Sequence, residues 1–150
     1  ESPFIVVWDS LDDPHNLGAI LRSAEAAGVH GVIIPKRNSV TLNYTVAKTS
    51  AGAIEYVPVV KVANLPAAID ELKSRGVWIF GADMDGTDYT ALDYSGSIAL
   101  VIGSEGKGIG RLVREKCDFI ASLPMRGKIN SLNASVAAGI LMFEAAKHRN

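Results

Sequence analysis

Short continuous apolar runs alternate along the whole chain with segments whose apolar residues recur at helical spacing. The runs cover residues 4–8, 31–34, 56–60, 77–81, 98–102 and 119–123, most of them rich in Val and Ile. A strand covered on both faces needs apolar side chains on both, so these runs predict six strands of a mainly parallel sheet. Between the first two, residues 16–28 place Leu17, Ile20, Leu21 and Ala24 on one helical face, with Gly28 as a stop. Residues 43–52 read as a further helix despite their Thr and Ser. Asn64 before Leu65-Pro66, then Ile69, Leu72 and Gly76, predict a capped helix with proline near its start. Residues 131–148 form the clearest helix, with a stripe of Leu132, Val136, Ile140 and Phe143. Lys147, His148 and Arg149 stand at the end where the macrodipole favours cations. Repetition of strand and helix gives an α/β class.

Composition narrows this picture. The 150 residues suffice for one domain with a proper core, spanning 1–150, and are too few for two ordinary ones. No apolar run is long enough to span a bilayer, and no basic segment followed by an apolar stretch marks a signal peptide. The single cysteine, Cys117, excludes an intrachain disulfide and a cysteine zinc cluster, which fits a cytoplasmic protein with no metal site. The start at Glu1-Ser2-Pro3-Phe4, without Met, reads as a cut, so a preceding domain is expected. The net charge of −1 argues against a tail-driven polyanion binder, so any nucleic-acid contact must be local.

The most unusual local sequence is Gly103-Ser104-Glu105-Gly106-Lys107-Gly108-Ile109-Gly110, after a buried strand and before a helix. Four glycines in eight residues let backbone approach a ligand closely, though a plain strand-to-helix turn has similar composition. A Walker-type loop needs Ser or Thr after its Lys, and Gly108 stands there. The dinucleotide pattern needs glycines at relative positions one, three and six, which no triplet here supplies. Glu105 would repel a phosphate, so the loop suits a cation or a neutral polar ligand.

Two other segments sit at strand-to-helix junctions. In Asp13-Pro14-His15-Asn16-Leu17-Gly18-Ala19-Ile20-Leu21-Arg22, Asn16 and Arg22 lie about 120° apart around one helix and are better joined by a substrate than by each other. In Leu123-Pro124-Met125-Arg126-Gly127-Lys128-Ile129-Asn130-Ser131-Leu132-Asn133-Ala134-Ser135, Ser131 could cap the last helix and Asn133 could be a surface residue of its first turn. Taken singly, Asn16 is equally a helix cap and Arg22 a solvated charge.

Taken together, residues 16–22, 102–106 and 123–135 resemble, in order and spacing, the three motifs of the SpoU/TrmH-type family of the SPOUT RNA methyltransferases. The likeness covers essentially the whole chain, and Asp13-Pro14-His15-Asn16 together with the helix at Ser131-Leu132-Asn133-Ala134-Ser135-Val136-Ala137 are most similar to bacterial enzymes that methylate a guanosine ribose in large-subunit rRNA. The resemblance implies a parallel sheet whose C-terminal part threads a deep trefoil knot, built from about residues 100–138, an exception to the rule against threaded chains. It implies S-adenosylmethionine as cofactor, with Gly103, Leu123, Met125 and Leu132 in contact with it. Arg22, Asn16, Glu105, Ser131 and Asn133 match positions tied to RNA binding and catalysis. It further implies a homodimer with the site beside the subunit interface.

The activity so implied is methylation of a ribose 2′-hydroxyl of guanosine in 23S rRNA. A tRNA guanosine 2′-O-methyltransferase of the same family, or an idle RNA-binding module, would share the motifs. Arg22 is the candidate for activating the hydroxyl, and Glu105 for orienting Arg22 or Asn16. The charge distribution then changes meaning. From residue 105 to 149, eight basic residues face four acidic ones, a local excess of four that the rest of the chain conceals. Arg111, Arg114, Arg126, Lys128, Lys36, Arg37 and Lys48 are the candidate phosphate contacts.

Overall fold

Strand β5 (Ile98–Gly103) is buried at every position, as an all-apolar run between two neighbours must be. It pairs in parallel with β1 (Phe4–Asp9) on one side and β4 (Trp78–Asp88) on the other. Outward from β1 come β2 (Gly31–Pro35) and β3 (Val59–Val62), and beyond β4 comes β6 (Phe119–Ser122). The order is β3-β2-β1-β5-β4-β6 with every strand pair parallel, the six-stranded α/β sheet that the apolar runs predict. The computed structural model describes residues 1–9, 14–36, 44–104, 107–129 and 132–149.

Helices cover both faces. On one, α1 (Pro14–Ala27) packs against α2 (Tyr44–Thr49) and α5 (Ala134–Ala146). Its predicted stripe, Leu17, Ile20, Leu21 and Ala24, is wholly excluded from solvent and joins Phe4, Val6, Trp8 and Leu100 in the larger core. On the other face lie α3 (Leu65–Ser74) and α4 (Arg111–Lys116), closing a second core around Val7, Ile69, Ile79 and Val101. Asn64 caps α3 as its position suggests, its Oδ1 accepting from Ala67 N at 2.9 Å.

Three boundaries differ from the sequence reading. The third strand starts at Val59 rather than Tyr56, because Pro58 has no N–H to give a ladder; its carbonyl instead accepts from Val32 N at 2.9 Å. The fourth strand runs on to Asp88, well past Gly81, since an interruption after Ala82 lets it rejoin β6 at Thr87. The last helix begins at Ala134 rather than Ser131. Its cap is Asn133, whose Oδ1 accepts from Ser135 N at 2.9 Å and Val136 N at 3.3 Å.

The stripe read on that last helix also faces the other way. The buried side of α5 is Ala134, Ala138, Leu141, Met142 and Ala145, whereas Val136 and Phe143 are about half exposed, at 51% and 49%. A helix apolar all round has two faces to cover, and the core covers only one of them.

Close packing of α1 on α2 sets the first motif. A Cβ on Gly18 would fall on the Thr49 hydroxyl and lie 3.0 Å from Ser50 N. Gly18→Ala should therefore cost about 1–3 kcal/mol, read as a lower denaturant midpoint at unchanged slope. An unshifted midpoint would show that the α1–α2 contact yields freely.

Candidate active site

The carboxyl ends of β4, β5 and β6 open into a cavity of about 370 Å³, within the usual range for small-ligand sites and at the sheet edge where open α/β folds bind them. Its walls come from the loop after β5, a bulge in β4 and the segment running from β6 to α5.

The loop after β5 is folded on itself. Ser104 N donates to Gly108 O at 3.2 Å, and Gly108 N donates back to Ser104 O at 2.9 Å. Gly103 is required there, since a Cβ would collide with the backbone of Gly108 and Ile109. Further along, Gly110 N donates to Asp9 Oδ2 at 3.1 Å, fastening the loop to the end of β1. Glu105, placed in this loop by its sequence, lies outside the described residues, as does Gly106.

The bulge in β4 was not legible in the sequence. Ala82 and Thr87 both register with Ala121, so residues 83–86 stand out of the ladder. Asp83, Met84 and Asp85 from this bulge line the cavity, and Asp85 takes a left-handed φ of 59°. Asp83 is held at both oxygens: Oδ1 accepts from Met84 N at 2.8 Å, and Oδ2 pairs with Arg114 Nη1 at 2.5 Å. Arg114, a candidate phosphate contact by sequence, thus fastens α4 to the bulge instead. Gly86 lies beyond the run 77–81 that reads as a strand, so its value as a mark of a bulge emerges only once the strand is seen to continue to Asp88.

The four residues proposed for the cofactor, Gly103, Leu123, Met125 and Leu132, all line the cavity, with Ala121, Pro124, Ala134 and Ala137 beside them. This wall is chiefly apolar and backbone, the donor set that an adenosine group needs: flat apolar surface for the base and peptide groups for its edge. Leu123 lies just past the end of β6. Ser104, Lys107 and Ser122 also contribute to the lining, and sequence reasoning did not single them out.

Asn16 and Asn133 meet. Asn133 Nδ2 donates to Asn16 Oδ1 at 3.3 Å, joining the first turn of α1 to the cap of α5 across 117 residues. Asn16 is the third residue of α1 and therefore not its cap. Asn133 does two jobs, and it stands between Leu132 and Ala134 of the cavity wall. Arg22 lies exposed on α1 and is not among the cavity-lining residues. Ser131 lies outside the described residues, as does Arg37.

Of the other charged candidates, Arg111 is fully out in solvent beside Glu115 at 3.2 Å, and Arg126, Lys128, Lys36 and Lys48 are exposed. Burial pushes the Cys117 thiol up to about 11, which removes it as a nucleophile near neutral pH. Among the described residues, no group of His, Cys, Asp and Glu is arranged to hold a metal ion, and no helix is long and apolar enough to cross a membrane.

Comparison with known proteins agrees with this geometry. YacO of Bacillus subtilis (strain 168), named for the TrmH family of tRNA/rRNA methyltransferases, is 56% identical over 151 residues, covering 100% of this chain and 61% of the relative. The chain spans about three fifths of the length of the curated relatives it matches. An AdoMet-bound rRNA methyltransferase from Sinorhizobium meliloti superposes with a TM-score of 0.91 at 30% identity, over 99% of this chain and 57% of that one. The SpoU methyltransferase AviRb from Streptomyces viridochromogenes, in complex with AdoMet, gives 0.89 at 30% identity, over 98% and 61%. The model of the SpoU rRNA methylase family matches residues 3–143, and with the fold, the glycine loop and the Asn16–Asn133 pair already in place, the chain belongs to that family.

Proposed function

We propose that residues 1–150 form a catalytic domain that binds S-adenosylmethionine and methylates the ribose 2′-hydroxyl of a guanosine in 23S rRNA. The observation that carries the reading is the convergence of Gly103, Leu123, Met125 and Leu132 on one cavity at the carboxyl ends of the sheet. The AdoMet complexes of AviRb and of the Sinorhizobium meliloti rRNA methyltransferase support it. The trefoil threading of residues 100–138 and a cytoplasmic location belong to the same proposal.

S-adenosylmethionine, when bound, supplies a methyl group already activated on a positively charged sulfur. What is left to the protein is positioning and the handling of charge on the accepting oxygen. Leu123, Met125 and Leu132 bind the adenosine part, with the backbone after Gly103 fixing its edge. The guanidinium of Arg22, a planar fork of donors, acts by stabilising negative charge as it develops on the 2′-oxygen. Asn16 and Asn133 orient the ribose, while Glu105 and Ser131 complete the RNA-facing set. The exposed Lys128 and Arg126 lie on the segment that carries the cavity wall and meet phosphates, which makes RNA binding salt-dependent.

The domain acts as a homodimer. Val136, Gly139, Ile140 and Phe143 of α5 form a shallow apolar groove with Ala19 and Ser23 of α1, and Arg22 is next to the α1 side of it. A second copy on this groove covers the outer face of α5 and brings Arg22 to the interface, near the site.

Two experiments test this reading. Tritiated methyl transfer to purified 23S rRNA and to tRNA, followed by mapping of the modified ribose, should give a 2′-O-methylguanosine in 23S rRNA; label confined to tRNA would move the substrate to tRNA. In the same assay Arg22→Ala should lower turnover by about a hundredfold or more while cofactor affinity stays nearly unchanged, and a fully active variant would remove Arg22 from the mechanism. Phe143→Glu should convert a dimer to a folded monomer in sedimentation velocity; a dimer that survives it would place the interface elsewhere.

A further inference from the structure

Three charged side chains line the cavity among the described residues: Asp83, Asp85 and Lys107. Asp83 is spent on Arg114 and on Met84 N. Asp85 and Lys107 are exposed, and neither has a hydrogen bond or ion pair within the described residues. They come from two segments that meet at the rim, Asp85 from the bulge in β4 and Lys107 from the loop after β5, where Gly108 lies against Asp83. Each is held by its neighbours: Asp85 follows the anchored Asp83 at a left-handed φ, and Lys107 precedes Gly108, whose backbone is locked to Ser104. Among the described residues the rest of the lining is apolar or neutral, so beside the Asp83–Arg114 pair they place one negative and one positive charge on the rim.

A ligand matching that rim has an apolar or neutral body and a zwitterionic end. Resting on the reading of this cavity as the S-adenosylmethionine site, we infer that Asp85 receives the α-ammonium group of the cofactor's amino-acid end and Lys107 its α-carboxylate. Neither residue is needed for the methyl transfer itself. Together they hold the flexible tail, and they select adenosine derivatives that carry an amino acid over those that do not. Because both groups are solvated, each contact is an exposed ion pair, about threefold to fivefold in affinity and weaker as salt rises.

The test is isothermal titration at low salt of the wild-type chain, Asp85→Asn and Lys107→Gln with three probes. S-adenosylhomocysteine carries both tail charges, decarboxylated S-adenosylmethionine only the ammonium, and 5′-methylthioadenosine neither. Asn tolerates the left-handed backbone at position 85, so the first variant keeps the bulge. Asp85→Asn should weaken the first two probes about threefold to fivefold and leave methylthioadenosine alone. Lys107→Gln should weaken S-adenosylhomocysteine alone. Equal loss for methylthioadenosine, or unchanged binding of S-adenosylhomocysteine to both variants while wild type binds all three probes, would overturn the clamp and leave the cofactor site standing. Failure of wild type to bind any of the three would overturn the cofactor site itself, and the clamp with it.

Discussion

The parallel pairing of β1 with β5 is the constraint on which the rest of the molecule depends. It runs through six residue pairs, from Phe4 opposite Ile98 to Asp9 opposite Gly103, and joins the start of the chain to the strand that feeds the glycine loop. Both strands are buried between two neighbours, so their ladder is shielded from water and their register is fixed by packing on both faces. Where the ladder ends, Asp9 goes on to accept from Gly110 N, and the loop is pulled across the end of the sheet. The cavity is walled by that loop together with the bulge in β4, which meets it where Gly108 lies against Asp83.

A second constraint ties the two ends of the functional surface together. Asn133 caps α5 with its carbonyl oxygen and uses its amide nitrogen to reach Asn16. One side chain thus fixes where the last helix starts and where it lies on α1. The pairing of Arg114 with Asp83 does the same on the opposite side, between α4 and the bulge. Each tie spans elements distant in sequence, so the cavity walls are positioned by tertiary contacts rather than by the local conformation of any one loop.

Much of the fold was legible. Continuous apolar runs identify five of the six strands to within a residue or two at their starts, because burial on both faces leaves a run and not an alternation. Pro58 misplaced the third strand, through its missing N–H, and the bulge hid half of the fourth. The orientation of α5 was misread for a physical reason: a helix apolar all round has no single stripe, and Val136 and Phe143 look like core until Ala138, Leu141, Met142 and Ala145 are seen to be the buried face. Of the site, Gly103, Leu123, Met125 and Leu132 could be named from motif order, and they converge in the cavity. Asp83 and Asp85 could not, since a bulge depends on the register with a partner strand. The link between Asn16 and Asn133 is equally invisible in one dimension, where each residue reads as a helix-end polar group.

The account stands on the cavity at the carboxyl ends of β4, β5 and β6 being the seat of the adenosine group. A crystal structure of the chain grown with S-adenosylhomocysteine tests this most directly. The account predicts density for the adenosine between the loop after Gly103 and the wall of Leu123, Met125 and Leu132. Density for the ligand at any other place on the sheet, with this cavity filled only by solvent, would contradict it.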